Sequence, residues 1–327
     1  MFLIDKHNKS SAIRPMMLSR TSNTARHAVQ MQQTRGFAEN LKAIQMRIVS
    51  TANIQKITKS MKMVSAAKLK GDQARLANGK VFGTAMDKLF DYTAKEEEKP
   101  IAAFTTPLYV AITSDRGLCG GVNSSITRTL RRVLDSDSAD GLSPKAFIVG
   151  DKGHGPLVRL HSHFLCGQVN EPWKNPMNFA KTQYIADRII ESAADSDCIK
   201  ILYNKFYSAI RYETETITIP NYPKLAAVED ENNNDLPLPL NRYEGELEST
   251  EEFLLNMFDY GVSVRLYGCL IDNATSEQSS RMQAMENASK NAQEMVDKLT
   301  IKYNRARQAK ITTELIEIIS GAESLKG

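Results

Sequence analysis

Leu108-Tyr-Val-Ala-Ile-Thr113, followed by Ser114-Asp-Arg-Gly-Leu-Cys-Gly-Gly121 and then helical spacing from Val122 to Leu134, is where this chain changes period. A short apolar run bounded by turn residues reads as a buried strand. Lys145-Ala-Phe-Ile-Val149 repeats the pattern, and Phe164 to Val169, Ile199 to Tyr207 and Tyr212 to Ile219 read as further strands. Met177 to Ala194 has helical spacing, with Phe179, Ile185, Ile189 and Ile190 on one side. Alternation of strand and helix implies a mostly parallel sheet with helices on its faces. Residues 100–225 are expected to form a Rossmann-like α/β domain.

Outward from this domain, proline disappears. Ten of the eleven prolines lie between Pro100 and Pro176 or between Pro220 and Pro239, and the other is Pro15. Proline breaks a helix interior, so both flanks are free to be long helices. Residues 37–99 form the first flank. Its apolar residues are Leu41, Ile44, Ile48, Ile54, Ile57, Met61 and Val64, in steps of three and four with one step of six. That step predicts a local overwinding. A break is expected near Gly79 or Gly83, and the charge run Lys95 to Pro100 closes the segment.

Residues 249–327 form the second flank. From Phe253 to Ile271 a wide apolar face, including Phe258, Val262, Leu266 and Leu270, suits packing on the α/β domain. From Thr275 to Lys310 the seam narrows to Met285, Ala288, Ala292, Met295, Leu299, Tyr303 and Ala306, a coiled-coil stripe. It then widens at Ile311, Leu315, Ile316, Ile318, Ile319 and Ala322. A tip that is apolar on adjacent sides calls for cover by another protein. Two such flanks joined by one domain are expected to pair as a long antiparallel coiled coil.

Composition narrows the function classes. Net charge is +4, too weak to imply nucleic acid by itself. Charge is segmented: Lys42, Arg47, Lys56, Lys59, Lys62, Lys68 and Lys70 face only Glu39 over residues 39–70, whereas the loop 226–248 is acidic. Aromatic residues are absent from Leu41 to Val81, so base stacking has no platform and acidic protein partners fit better. Residues 1–36 are Arg-rich, Ser-rich and nearly free of acid, the profile of an organelle transit peptide. The most apolar window, Phe253 to Ile271, holds Asn256, Asp259, Ser263 and Arg265 and does not read as a membrane span. Cys119, Cys166, Cys198 and Cys269 are too far apart for a Cys-x-x-Cys pair and are expected to be reduced and buried.

Chemistry is sparse. The turn Ser114 to Gly121 sits where a phosphate would bind, but it is neither G-x-G-x-x-G nor a P-loop. Gly150 to Gly155 reads as another turn. His154, His161 and His163 lack an acid or cysteine to complete a metal set. No nucleophile-base-acid arrangement stands out. No catalytic, cofactor or metal site is expected.

Three stretches carry a specific resemblance. Ile54-Gln-Lys-Ile-Thr-Lys-Ser-Met-Lys-Met-Val-Ser-Ala-Ala-Lys68, Thr275-Ser-Glu-Gln-Ser-Ser-Arg-Met-Gln-Ala-Met-Glu-Asn-Ala-Ser-Lys-Asn-Ala292 and Ile311-Thr-Thr-Glu-Leu-Ile-Glu-Ile-Ile-Ser-Gly-Ala322 are similar to the two end helices of the gamma-subunit family of F-type ATP synthases. Ser114 to Gly120 resembles that family's first βα turn. The resemblance covers residues 38–327. It implies a non-catalytic rotor whose antiparallel coiled coil enters the alpha/beta hexamer. The α/β foot would meet the c-subunit ring and the delta and epsilon subunits. The whole would sit peripherally on the matrix side of the mitochondrial inner membrane, and nucleic acid is no partner.

The same resemblance implies residue roles. Arg307 and Gln308 would touch the catch loop of the beta subunit, with Thr312, Glu314 and Glu317 beside them. Lys56, Lys59 and Lys62 would meet beta's acidic loop. Met61 and Arg281 would face each other near the neck. Residues 225–245 hold no cysteine pair, so the redox insertion of the chloroplast form is absent, which with the leader favours a mitochondrion.

Overall fold

The computed structural model describes residues 22–95, 105–221 and 250–325, with side chains over 41–80, 83, 105–221 and 255–325. The acidic loop 226–248 lies outside the described residues. Helix α1 spans Ser22–Lys95 and the last helix, α5, spans Thr250–Ser324. Between them come β1 (Pro107–Ile112), α2 (Val122–Ala139), β2 (Lys145–Val149), α3 (Asp151–His161), β3 (Leu165–Val169), α4 (Phe179–Ser192), β4 (Cys198–Phe206) and β5 (Tyr212–Pro220). By internal contact the chain divides into residues 1–55 with 291–327, and residues 56–290.

The larger unit holds the sheet, in the order β3-β2-β1-β4-β5. Strands β1 to β4 are parallel, and β5 joins β4 antiparallel through a tight hairpin. β1 is buried at every position, which is why it reads as an unbroken apolar run. Alternate side chains serve opposite faces. Leu108, Val110 and Ile112 join α4 and the α5 residues Phe258, Val262, Leu266 and Leu270 in one core layer. Tyr109 and Ala111 join Ile126, Leu130, Leu134 and Leu157 of α2 and α3 in the other. Each buried Leu, Ile or Val contributes about 1.5–3 kcal/mol of transfer free energy.

Three expectations need correction here. α1, which runs from Ser22, passes Gly79 and Gly83 without a break. A Cβ at Gly79 would sit 3.3 Å from Ile271 Cδ1 on α5, so close helix approach occupies the position a break was assigned to. Residues 151–155 are not a turn but the start of α3, which accommodates Pro156. Burial of Gly153 and Leu157 outweighs the local propensity. Cys166 is exposed, whereas Cys119, Cys198 and Cys269 are buried.

The seam of α1 also differs from its apolar pattern. Its shielded line is Leu41, Ile44, Ile48, Thr51, Gln55, Thr58, Lys62, Ser65, Leu69, Asp72, Leu76, Gly79 and Gly83. These steps alternate three and four without interruption, so no overwinding occurs. Ile54, Ile57 and Val64, assigned to the seam by hydrophobicity, are exposed. On α5 the shielded line passes through Val296, and Met295 is exposed. In the larger unit the two helices run antiparallel. Lys62 pairs with Glu286 at 3.2 Å, and further along α1 Gly79 meets Ile271. In the smaller unit Gln55 Nε2 donates to Gln293 Oε1 at 2.7 Å.

Gly150 links β2 to α3 at φ 98°, and a Cβ there would strike the carbonyl of Thr113. Gly150→Ala should lower the unfolding free energy by more than about 2 kcal/mol. Gly155→Ala faces open space and should change it by less than about 1 kcal/mol, towards stability. Urea unfolding midpoints check both; equal midpoints would refute the close approach at Gly150.

Candidate functional site

In an open α/β sheet, ligands enter outside the carboxyl ends of the strands where the connections diverge. In this sheet that point lies between β1 and β4. Side chains of α5 fill it. Ser280 Oγ donates to the carbonyl of Cys119 at 2.6 Å, Ser276 Oγ to that of Asn204 at 3.0 Å and Ser279 Oγ to that of Ala209 at 2.6 Å. Asn273 Oδ1 accepts from the backbone and side-chain nitrogens of Asn204. The Asp272 carboxylate accepts from Phe206 N at 3.4 Å.

The turn after β1 is built for this contact. Asn123 Oδ1 accepts from Ser114 N at 2.9 Å, and Asn123 Nδ2 donates to Ser114 Oγ at 2.7 Å. Gly120 adopts φ 62°, and a Cβ there would lie 2.8 Å from Ser280 Oγ. The glycine therefore admits the helix rather than a phosphate.

Arg281 and Glu277 pair at 2.5 Å with both side chains about nine-tenths buried. Burial pushes the Glu277 carboxyl above its ordinary pKa, against the pull of Arg281. Arg281 Nη2 also reaches the carbonyls of Arg116 and Gly117 at 3.4 and 3.5 Å. Burial likewise raises the Cys119 thiol, so it is no thiolate nucleophile at neutral pH. Beside the pair lies a cleft of about 980 Å³ between α1, the 114–118 turn, the 171–177 loop and α5. Met61 and Arg281 both line it. Burial also raises the carboxyls of Asp72 and Asp115 on the cleft, and that of Asp272. Burial raises the Asp272 pKa to about 6, while the Phe206 N–H, Lys80 and Lys205 oppose the rise.

Comparison with known proteins agrees with this architecture. Residues 40–325 match the family described as ATP synthase. The mitochondrial ATP synthase subunit gamma of Drosophila melanogaster is 38% identical over 300 residues, covering 90% of this chain and 93% of its own. That of Ipomoea batatas is 38% identical over 285 residues, covering 87% and 85%. The chain belongs to the ATP synthase gamma-subunit family. A central-stalk chain of the Tetrahymena thermophila mitochondrial enzyme superposes with a TM-score of 0.58 at 33% identity, over 71% of this chain and 99% of that one. A Euglena gracilis chain from an OSCP/F1/c-ring structure shares the fold, with a TM-score of 0.72 at 21% identity over 88% and 95%.

The residues given contact roles by the resemblance lie on α1 and α5. Arg307, Gln308, Thr312 and Glu314 are exposed on α5 and Glu317 is half-buried. Thr312 Oγ1 donates back to the Gln308 carbonyl, and Lys310 pairs with Glu314 at 3.5 Å. Lys56 and Lys59 are exposed, but Lys62 lies on the seam and is engaged by Glu286 rather than standing on a free basic face. Ile311, Leu315, Ile316, Ile318, Ile319 and Ala322 are all exposed, Ile318 to 67%.

Sequence reading missed Asn204, Asp272, Asn273, Ser276, Ser279 and Ser280. A signal was present. Serine and asparagine are poor residues for a helix interior unless their side chains bond elsewhere.

Arg281→Met leaves the Glu277 carboxyl buried without its partner and should destabilise the fold by about 3 kcal/mol. The double variant with Glu277→Gln should recover most of that loss; additive losses in thermal unfolding would show the pair is not coupled. For Asp272 the folded pKa exceeds the unfolded one, so its ionisation costs stability as pH rises through about 6. Asp272→Asn should therefore stabilise at pH 7.5 by about 1–3 kcal/mol, and the gain should vanish by about pH 4. A gain independent of pH would refute the assignment.

Proposed function

We propose that this chain is the rotating central stalk of a proton-driven F-type ATP synthase and has no catalytic site of its own. The observation that carries the reading is the end of α5. Ile311, Leu315, Ile316, Ile318 and Ile319 are all about half exposed or more, on adjacent sides of one helix. Apolar surface of this extent on a charged helix is stable in water only when another protein encloses it. An alpha/beta hexamer around the tip would supply that enclosure. Arg307 and Gln308, just before the tip, would then meet the catch loop of a beta subunit, with Thr312, Glu314 and Glu317 beside them.

The mechanism follows from asymmetry. A pair of helices presents a different surface in each direction, so each beta subunit meets apolar, basic or neutral surface as the pair turns. A turning element can drive conformations only through unequal contact with them. Exposed Lys56 and Lys59 supply one such inequality towards an acidic loop of beta. They act on orientation more than affinity, because exposed charges are screened. The α/β domain would transmit motion from the c-subunit ring, with delta and epsilon subunits beside it. No described helix is long and apolar enough to cross a membrane, which suits a peripheral subunit on the matrix side of the mitochondrial inner membrane. The filled crevice between β1 and β4 supports the non-catalytic part, since a nucleotide would have to displace Ser276 and Ser280.

Ile318→Asp should reduce incorporation into the alpha/beta hexamer by about tenfold or more, because the hexamer would bury an unpaired charge. The circular dichroism of the chain alone should stay unchanged. Native mass spectrometry of the complex reads the occupancy. Unchanged occupancy would show that the tip is not enclosed, and stoichiometric ATP binding by the chain alone would refute the non-catalytic role.

A further inference from the structure

One side chain in the larger unit bonds to three other elements. Asn204 lies near the carboxyl end of β4 and is fully buried. Its Nδ2 donates to the carbonyl of Val122 on α2 at 3.2 Å and to Asn273 Oδ1 on α5 at 3.2 Å. Its Oδ1 accepts from Ser125 Oγ on α2 at 3.2 Å and from Thr214 Oγ1 on β5 at 2.8 Å. Its backbone nitrogen donates to Asn273 Oδ1 at 3.3 Å and its carbonyl accepts from Ser276 Oγ at 3.0 Å. A primary amide has two donor hydrogens and two acceptor lone pairs; three are met by Val122, Asn273 and Thr214, and the fourth shares the single Ser125 proton with the Val122 carbonyl.

The rest of the α5 contact is of another kind. Phe258, Val262, Leu266 and Leu270 meet the sheet through apolar surface. Such contact is non-directional and changes little when a helix slides or turns by a small amount. Hydrogen bonds in a dry interior behave differently. A slide of about 1.5 Å along the axis would take Asn273 Oδ1 away from both nitrogens of Asn204 and Ser276 Oγ away from its carbonyl, while the side-chain bonds of Asn204 to α2 and β5 stay in place. Apolar packing therefore holds α5 on the domain, and the polar contacts decide where it is held.

We infer that Asn204 is a positioning residue that sets the rotational register of α5 on the α/β domain, so that force applied to the domain reaches the helix without slip. This rests on the rotor function proposed above. Asn204→Asp would keep the shape and lose both side-chain donors, whereas Asn204→Leu would keep the volume and lose every side-chain bond, leaving the backbone bonds to Asn273 and Ser276. Neither substitution touches the hexamer-facing tip or any nucleotide, so the chemistry of ATP hydrolysis is left intact.

The test uses the complete enzyme, depleted of its own central subunit, reconstituted with this chain and placed in sealed vesicles. Two rates are measured, ATP hydrolysis and proton uptake. With Asn204→Leu and with Asn204→Asp, hydrolysis should stay near the unmodified level. Protons moved per ATP should fall measurably below the unmodified ratio, because each slip of α5 consumes an ATP without moving protons. The double variant Asn204→Leu with Thr214→Val separates register from stability, because it removes the hydroxyl left unpaired at residue 214 without restoring the side-chain bond to α5. Its melting temperature should return towards the unmodified value while coupling stays low. Coupling that recovers together with melting temperature would overturn the inference and leave Asn204 a structural residue. Unchanged protons per ATP in both single variants would overturn it as well. If the unmodified chain fails to restore proton uptake, the rotor reading itself falls and takes this inference with it.

Discussion

The hydrogen bonds that α5 makes to the carboxyl ends of β1 and β4 are the constraint on which the larger unit depends. The first βα turn, strand β4 and the β4–β5 hairpin all surrender backbone groups to one helix. Those groups sit in a dry interior, where an unpaired carbonyl or amide is expensive. The helix cannot leave the domain without exposing them, and the domain cannot open its crevice to a ligand without losing the helix. The carboxyl end of the sheet is thereby occupied by a helix of the same chain.

The same logic explains the polar seam of α1. A coiled coil with leucine or isoleucine at every core position is strong but tolerant of register. Here Thr51, Gln55, Thr58, Lys62 and Ser65 occupy consecutive core positions, bounded by Ile48 and Leu69. Polar core residues weaken pairing and specify it, because a shifted register strands them. Lys62 with Glu286 and Gln55 with Gln293 are such specific pairs. Stability is thereby given up in favour of a single alignment, which a force-bearing helix pair needs more than strength.

How much of this was legible in the sequence depended on whether hydrophobicity and burial coincide. They coincide in β1, β2 and β4, whose apolar runs are buried on both faces, and in the Phe258 to Leu270 face of α5. The α/β domain, its strand boundaries and the two long helices were therefore readable. They diverge on α1, where Ile54, Ile57 and Val64 are exposed and threonine and serine are buried. Any reading that follows apolar residues then selects the wrong line and infers a step of six that the helix does not have. The α5 crevice contact was illegible for the same reason: Asn273, Ser276 and Ser280 look like solvent-facing residues until β4 and the 114–121 turn supply their partners. Glu277 and Arg281 resemble an ordinary surface pair at helical spacing, and only burial marks them out.

That divergence is informative. A helix that buries threonine and serine while exposing isoleucine and valine is not minimising its own exposed apolar area. Within a single chain, moving Ile57 and Val64 onto the seam would lower the free energy, since each buried side chain contributes about 1.5–3 kcal/mol. Under the rotor reading proposed above, a second protein would cover this outer line, as it would cover Ile311 to Ile319 on α5. The exposed apolar residues of α1 and of the α5 tip then have one explanation: an inner seam polar enough to fix alignment, and an outer surface for a surrounding partner.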